Sequence, residues 1–140
     1  MARFETNGID DLLQDMKAFG ELVGETADEM LVAGAEIVKE EWKKSAQRHK
    51  HHATGDMIQS IGFSKKVKNA GEVKSVDVYP RGKDRNGKRN AEKAFRLNYG
   101  WSEYPGGSHW VEEADANSAK PVEEEYKRIW EKRLREKLGM

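Results

Sequence analysis

The sequence predicts a single α+β domain, with a long N-terminal helix packed on a small antiparallel β-sheet or hairpin and a C-terminal helix after it. Three patterns predict it. Apolar residues recur every three or four positions from Met30 to Trp42. They then alternate with polar ones from Ile61 to Val78 around a glycine-containing turn, and return to helical spacing from Val122 to Leu138. A chain of 140 residues makes one domain with a modest core. Its expected parts are an N-terminal helix or arm at 1–23, an α+β core at 24–117 carrying a basic loop at 81–90, and a C-terminal helix at 118–140.

Taken in order, Ile9, Leu12, Leu13, Met16 and Phe19 predict a short helix capped by Asn7 and ended by Gly20. The long helix follows to about Gln47. Thr26 is its expected N-cap, with Glu29 completing a capping box. Its predicted inner face is Met30, Leu31, Gly34, Ala35, Val38 and Trp42, and the small Gly34 and Ala35 invite close approach of another element. Arg48 to His52 reads as a solvated cationic connection. Thr54 then caps a single helical turn from Asp56 to Ser60, anchored by Met57, Ile58 and Ile61. A strand with Ile61, Phe63, Lys65 and Val67 on one face leads to a turn at Asn69, Ala70 and Gly71. The return strand, Glu72 to Tyr79, turns Val76 and Val78 inward and is stopped by Pro80. Asn90 caps a second short helix, Ala91 to Asn98, with Ala94, Phe95 and Leu97 inward. Trp110 belongs to the core, whereas Trp101 and Tyr104 fit either a core plug or an interface anchor. After a break beyond Ala114, Ser118 caps the last helix with Pro121 in its first turn. Val122, Tyr126, Ile129, Trp130, Leu134 and Leu138 share one face of it, and Gly139 ends it.

Composition narrows the function classes. Mean hydropathy is −0.93 and charged residues equal apolar ones at 36%, a polar balance that favours partner-covered surface. Net charge is zero but unevenly placed. Residues 1–30 carry eight acids and two bases, and residues 43–96 carry fifteen bases and five acids, which favours self-assembly between unlike faces or contact with an acidic partner. The absence of cysteine excludes disulfides and thiolate metal sites and predicts an intracellular protein. No apolar run predicts a membrane span, and the acidic beginning does not read as a secretory leader.

No phosphate-binding glycine loop, HExxH pair or nucleophile elbow occurs, so no enzyme and no cofactor is predicted. His49, His51 and His52 contain enough imidazoles for a metal, but adjacent residues point apart and no acid follows before Asp56. The loop RGKDRNGKRN, with Arg81, Lys83, Arg85, Lys88 and Arg89, reads as mobile. It either clamps phosphates non-specifically, as a nucleic-acid-binding module would, or docks a partner. It has no aromatic for base stacking.

The order AGAEIVKEEWKKSA, a basic connection, TGDMIQSI, a hairpin, AFRLNYGWSEYPGGSHWVEEA and a charged terminal helix resembles the tail-completion family of long-tailed bacteriophages. Its members are also described as neck, minor tail or head-to-tail joining components. The likeness spans about residues 25–138. The family's Thr-Gly, large apolar residue and Ser-Ile are matched by Thr54, Gly55, Met57 or Ile58, Ser60 and Ile61. Its aromatic-acid-aromatic-glycine segment is matched by Leu97, Asn98, Tyr99 and Gly100, with Asn98 where an acid is commoner. Its Pro-Phe-Leu-x-Pro-Ala is matched by His109, Trp110, Val111 and Ala114 without the prolines.

The resemblance implies a structural virion protein of the tail or neck, assembled in the host cytoplasm. It implies a hexameric ring of identical subunits through which DNA passes without specific recognition. The implied partners are a head-completion or connector protein on one side and a tail terminator or tail tube protein on the other. No membrane is involved. Arg81, Lys83, Arg85, Lys88, Arg89, Trp101 and Tyr104 are then candidate docking residues, and Thr54, Gly55, Ser60, Ile61, Gly100 and Trp110 define the fold. The acidic N-terminal helix is expected to meet another subunit.

Overall fold

The computed structural model describes residues 2–5, 21–71 and 73–139. In chain order these form β1 (Ala2–Glu5), α1 (Glu21–Arg48), α2 (Asp56–Ser60), β2 (Ile61–Gly62), β3 (Lys68–Ala70), β4 (Val73–Pro80), α3 (Asn90–Tyr99) and α4 (Trp110–Leu138). The predicted helix at 9–19, with Asn7 and Gly20 at its ends, lies outside the described residues.

β4 is the centre of an antiparallel sheet. β1 pairs along one edge, with Ala2 opposite Val78 and Glu5 opposite Ser75. On the other edge β2 sets Ile61 opposite Pro80, and β3 sets Lys68 opposite Ser75. The architecture is therefore the expected α+β, a long helix on a small antiparallel sheet with a long C-terminal helix, and β1 adds a strand in the N-terminal arm, ahead of the predicted helix.

α1 is the element the others share. Its inner face, Met30, Leu31, Ala35, Val38 and Trp42, joins one apolar cluster with Val76 and Val78 of β4 and with Val122, Tyr126 and Ile129 of α4. The two long helices run antiparallel. Glu29, near the start of α1, receives the Arg133 guanidinium of α4 with Nε at 2.8 Å. Trp42 donates Nε1–H to Asp115 at 2.9 Å, and Ser45 donates its hydroxyl to the Trp110 carbonyl at 2.6 Å. Between them, a Cβ on Gly34 would stand 3.0 Å from the Tyr126 ring and 3.2 Å from Val122. The small residue sets how closely α4 lies.

Several boundaries differ from the predicted ones. α1 begins upstream of Thr26, whose side chain is fully buried inside the helix, and Glu29 is used by Arg133 instead of closing a capping box. The strand predicted from Ile61 is interrupted, and only Ile61–Gly62 and Lys68–Ala70 pair with β4. Lys65 is exposed, while Phe63 and Val67 pack partly against the core. Asn69 and Ala70 belong to β3, so the reversal falls at Gly71, which has φ of 64°. Pro80 closes β4 as its last paired residue, opposite Ile61.

α4 is continuous from Trp110, with no break at Ser118. That serine is buried within the helix and donates to the Asp115 carbonyl, and Pro121 lies in the interior. An interior proline costs about 3 kcal/mol. Burial of Val122, Tyr126, Ile129 and Trp130, at roughly 1.5–3 kcal/mol for each large apolar side chain, outweighs it. Leu134 is half-buried and Leu138 exposed, so the predicted inner face fades toward the end of α4.

Candidate interaction surface

Residues 54–61 form the corner at which the basic loop is attached. Thr54 Oγ1 accepts from the Asp56 amide at 3.3 Å, and Gly55 enters α2 with φ of 80°. The Ser60 hydroxyl donates to the Met57 carbonyl, and the Ser60 carbonyl accepts from the Arg81 amide at 3.0 Å. Met57, Ile58 and Ile61 are buried beneath.

The loop at 81–90, expected without an apolar anchor, has a hydrogen-bonded conformation. Its one acid organises it. Asp84 Oδ1 accepts from the amides of Asn86 and Lys88, both at 2.9 Å, and Oδ2 pairs with Lys93 of α3. The Lys93 ammonium and then these amides hold the Asp84 carboxyl below the usual carboxylate range. Arg85 forms a fork on Asp56, with Nε to Oδ2 at 2.9 Å and Nη2 to Oδ1 at 2.8 Å, and the Arg85 amide joins at 3.0 Å. Arg85 therefore lowers the Asp56 pKa strongly. Because both acids are depressed in the folded chain, what they contribute to stability is fully present above about pH 4 and is lost as pH falls through their folded values.

This bonding divides the five bases. Arg85 ties the loop to the corner, and Arg81 donates to the Phe63 carbonyl at 3.2 Å. Lys83, Lys88 and Arg89 are exposed with no ion-pair partner among the described residues. Asn90 does not cap α3. It is the first helical residue, and its buried amide donates to the Arg81 carbonyl at 3.0 Å.

α3 leads from this loop into the aromatic turn. Ala94 and Asn98 are its buried residues; Phe95, expected inward, is 63% exposed. Phe95 and Tyr99 lie side by side, with ring centroids 4.7 Å apart. Trp101 and Tyr104 exchange backbone hydrogen bonds at 3.1 and 2.9 Å, which closes a small loop. Their rings are 5.1 Å apart, and the Arg96 guanidinium lies 5.5 Å over Trp101. Trp101 is exposed and Tyr104 half-buried, so neither plugs the core. Trp110 is fully buried, edge-on to Trp42 at 5.4 Å.

Sequence reasoning missed Asn98 and the histidine contacts. Asn98 Oδ1 accepts from the Val111 amide at 3.0 Å and its amide donates to Glu112 at 3.1 Å, which satisfies the start of α4 from a neighbouring helix. His49 and His51 are half-buried and have partners, while Arg48, Lys50 and His52 are exposed as expected. His49 pairs with Glu113, and His51 contacts the Ser108 hydroxyl at 2.7 Å and the edge of Trp110 at 6.2 Å. Burial first, then the neighbouring imidazoles, lower the His51 pKa. The spacing Asp84, Asn86, Gly87 was the available signal for the loop, because an Asp followed by Asn-Gly is a turn former.

Residues 10–113 match the family model described as "Bacteriophage HK97-gp10, putative tail-component". The matched stretch covers well over half the chain, from before α1 through the corner, the loop and the aromatic turn into the first residues of α4. The chain belongs to the HK97-gp10-like family of phage tail components. Neither the curated proteins nor the solved structures gave a match. Membership in this structural family implies a non-enzymatic role among other virion proteins. No described helix of this HK97-gp10-like protein is long and apolar enough to cross a membrane. Among the described residues, no cluster of three His, Asp or Glu residues could hold a metal ion.

Proposed function

We propose that this tail component is a tail-completion or neck subunit that joins the connector of the DNA-filled head to the tail as part of a homo-oligomeric ring. The observation that supports the reading is an exposed surface on a hydrogen-bonded loop. Lys83, Lys88 and Arg89 have no ion-pair partner among the described residues and stand on a loop held by Asp84 and Arg85, beside exposed Phe95, Tyr99 and Trp101. Exposed aromatics with arginine beside them are enriched at protein interfaces, and the lysines would belong to a polar rim. The acid-rich residues 1–30 of the same chain supply the opposite charge, as a subunit closing a ring through unlike faces requires. The hairpin and loop face a neighbouring ring or the DNA channel, with a head-completion protein on one side and a tail terminator or tube protein on the other.

The test is genetic and visual. Particles made without this protein are expected to accumulate as filled heads and separate, finished tails. Normal joined, infectious particles from the deletion would overturn the reading.

A further inference from the structure

An open cleft of about 420 Å³ lies between the 81–90 loop and α3. Apart from Gly87, every residue that lines it is charged: Lys83, Lys88, Arg89, Lys93 and Arg96, against the single acid Glu92. Lys93 is committed to Asp84, whereas Lys83, Lys88, Arg89 and Arg96 are exposed with no ion-pair partner among the described residues.

The backbone brings two of these cations together. The Asn90 amide donates to the Gly82 carbonyl at 3.0 Å and the Asp84 amide to the Lys88 carbonyl at 2.8 Å, which leaves Lys83 opposite Arg89 as the non-hydrogen-bonded pair of a small antiparallel ladder. Cα atoms at such a pair stand about 4.5 Å apart, the closer of the two cross-strand spacings. Like charges directly opposite each other there are destabilising. Asp84 does not relieve them, because the Asn86 and Lys88 amides and the Lys93 ammonium take up its carboxylate. Arg89, Glu92, Lys93 and Arg96 then follow at helical spacing along one side of α3. The cleft is thus a fixed concentration of positive charge that an anion would relieve.

Its composition decides which anion. The cores of protein interfaces are depleted of charge, and of lysine in particular, and are built on apolar and aromatic groups. The chain's own acids Asp10, Asp11 and Asp15 are interleaved with Ile9, Leu12, Leu13, Met16 and Phe19, which a cleft without apolar side chains cannot bury. Lysine and arginine without apolar company are what a phosphodiester backbone meets. No aromatic lines the cleft, so it offers no platform for unstacked bases and suits the outside of a duplex.

We infer that this cleft binds the phosphate backbone of double-stranded DNA without regard to sequence, Lys83 and Arg89 converging on one phosphate with Lys88 and Arg96 beside them. The binding stands on the cleft; that its occupant is the DNA passing between head and tail rests on the function proposed above.

Fluorescence anisotropy of a short labelled duplex, titrated with the full chain, tests it. Affinity is expected to fall about 40- to 150-fold between about 50 mM and 200 mM salt, as for three to four phosphate contacts. Lys83→Gln and Arg89→Gln should each reduce the salt slope by about one, and duplexes of unrelated sequence should bind alike. Glu92→Gln removes the acid from the cleft and should tighten binding several-fold, whereas Lys132→Gln on α4 should leave it unchanged. Absence of salt-sensitive binding, an effect of Lys132→Gln as large as that of Arg89→Gln, or equal binding of poly-glutamate overturns the site. If DNA does not bind but the deletion still yields filled heads and separate tails, this contact alone fails. Normal joined particles from the deletion overturn the joining role and leave the cleft to be judged by the binding data.

Discussion

At Gly100 the backbone turns with φ of 89°, and a Cβ there would lie 2.2 Å from the Tyr104 carbonyl oxygen and 2.6 Å from the Gly107 amide nitrogen. At Gly55 φ is 80°, but the nearest atom to a Cβ is the Gln59 side-chain nitrogen at 4.0 Å. The two glycines are thus required for different reasons. Alanine at 55 meets only the left-handed strain, about 1–2 kcal/mol, and valine adds its branched Cβ. Alanine at 100 must also open the Trp101–Tyr104 loop. We expect Gly55→Ala to lower the urea midpoint modestly, Gly55→Val to lower it more, and Gly100→Ala to lower it more than Gly55→Ala, with the slope unchanged. Equal losses for the two alanine variants would show that the aromatic turn is not held by this close approach.

Single residues with special backbone needs were legible in the sequence, but their partners were not. Gly55 and Gly100 stand out in short patterns, and Gly107 belongs to the turn signal Pro105-Gly106-Gly107, but nothing local shows that its Cβ would lie 2.2 Å from the Asn98 carbonyl oxygen. Asn98 stands out only as a motif position, and its bonds to Val111 and Glu112 show once α4 is placed beside it. The same limit explains the elements. Periodicity located α1 and the inner face of α4 from Val122 to Trp130, because burial imposes it. It misplaced their ends, because Thr26, Ser118 and Pro121 send local cap signals that tertiary burial overrides. The interruption of the first hairpin strand between Gly62 and Lys68 left the alternation of the sequence intact and so was invisible to it. Pro121 gives the element-scale prediction. It is exposed within α4 and contributes no donor to the helix ladder. Pro121→Ala should stabilise the protein by about 1–3 kcal/mol, read as a raised denaturant midpoint. Loss of stability would mean that the proline shapes the curvature by which α4 meets α1.

For the whole molecule, the division of the basic loop into structural and uncommitted charges separates folding from assembly. Arg85 is bound to Asp56 and Thr54, and Lys93 is bound to Asp84, so these two cations hold the loop against the corner and α3. The side chains of Lys83, Lys88 and Arg89 hold nothing among the described residues. A substitution that removes only the second set should therefore leave the fold alone, since exposed changes away from such contacts usually lie within about 0.5 kcal/mol. If the surface serves assembly, neutralising Lys83, Lys88 and Arg89 together to Gln should leave thermal unfolding essentially unchanged while incorporation into particles falls by roughly tenfold or more, as loss of complementary interface charge does. Arg85→Gln should behave in the opposite order. It should lower the melting temperature first, with assembly lost only as a consequence of the loosened loop. The measurement pairs melting curves of the purified variants with the amount of each found in purified virions. A triple variant that melts normally and is incorporated at the normal level would remove the loop from the assembly surface and leave only the exposed aromatics of α3 and the turn to carry it.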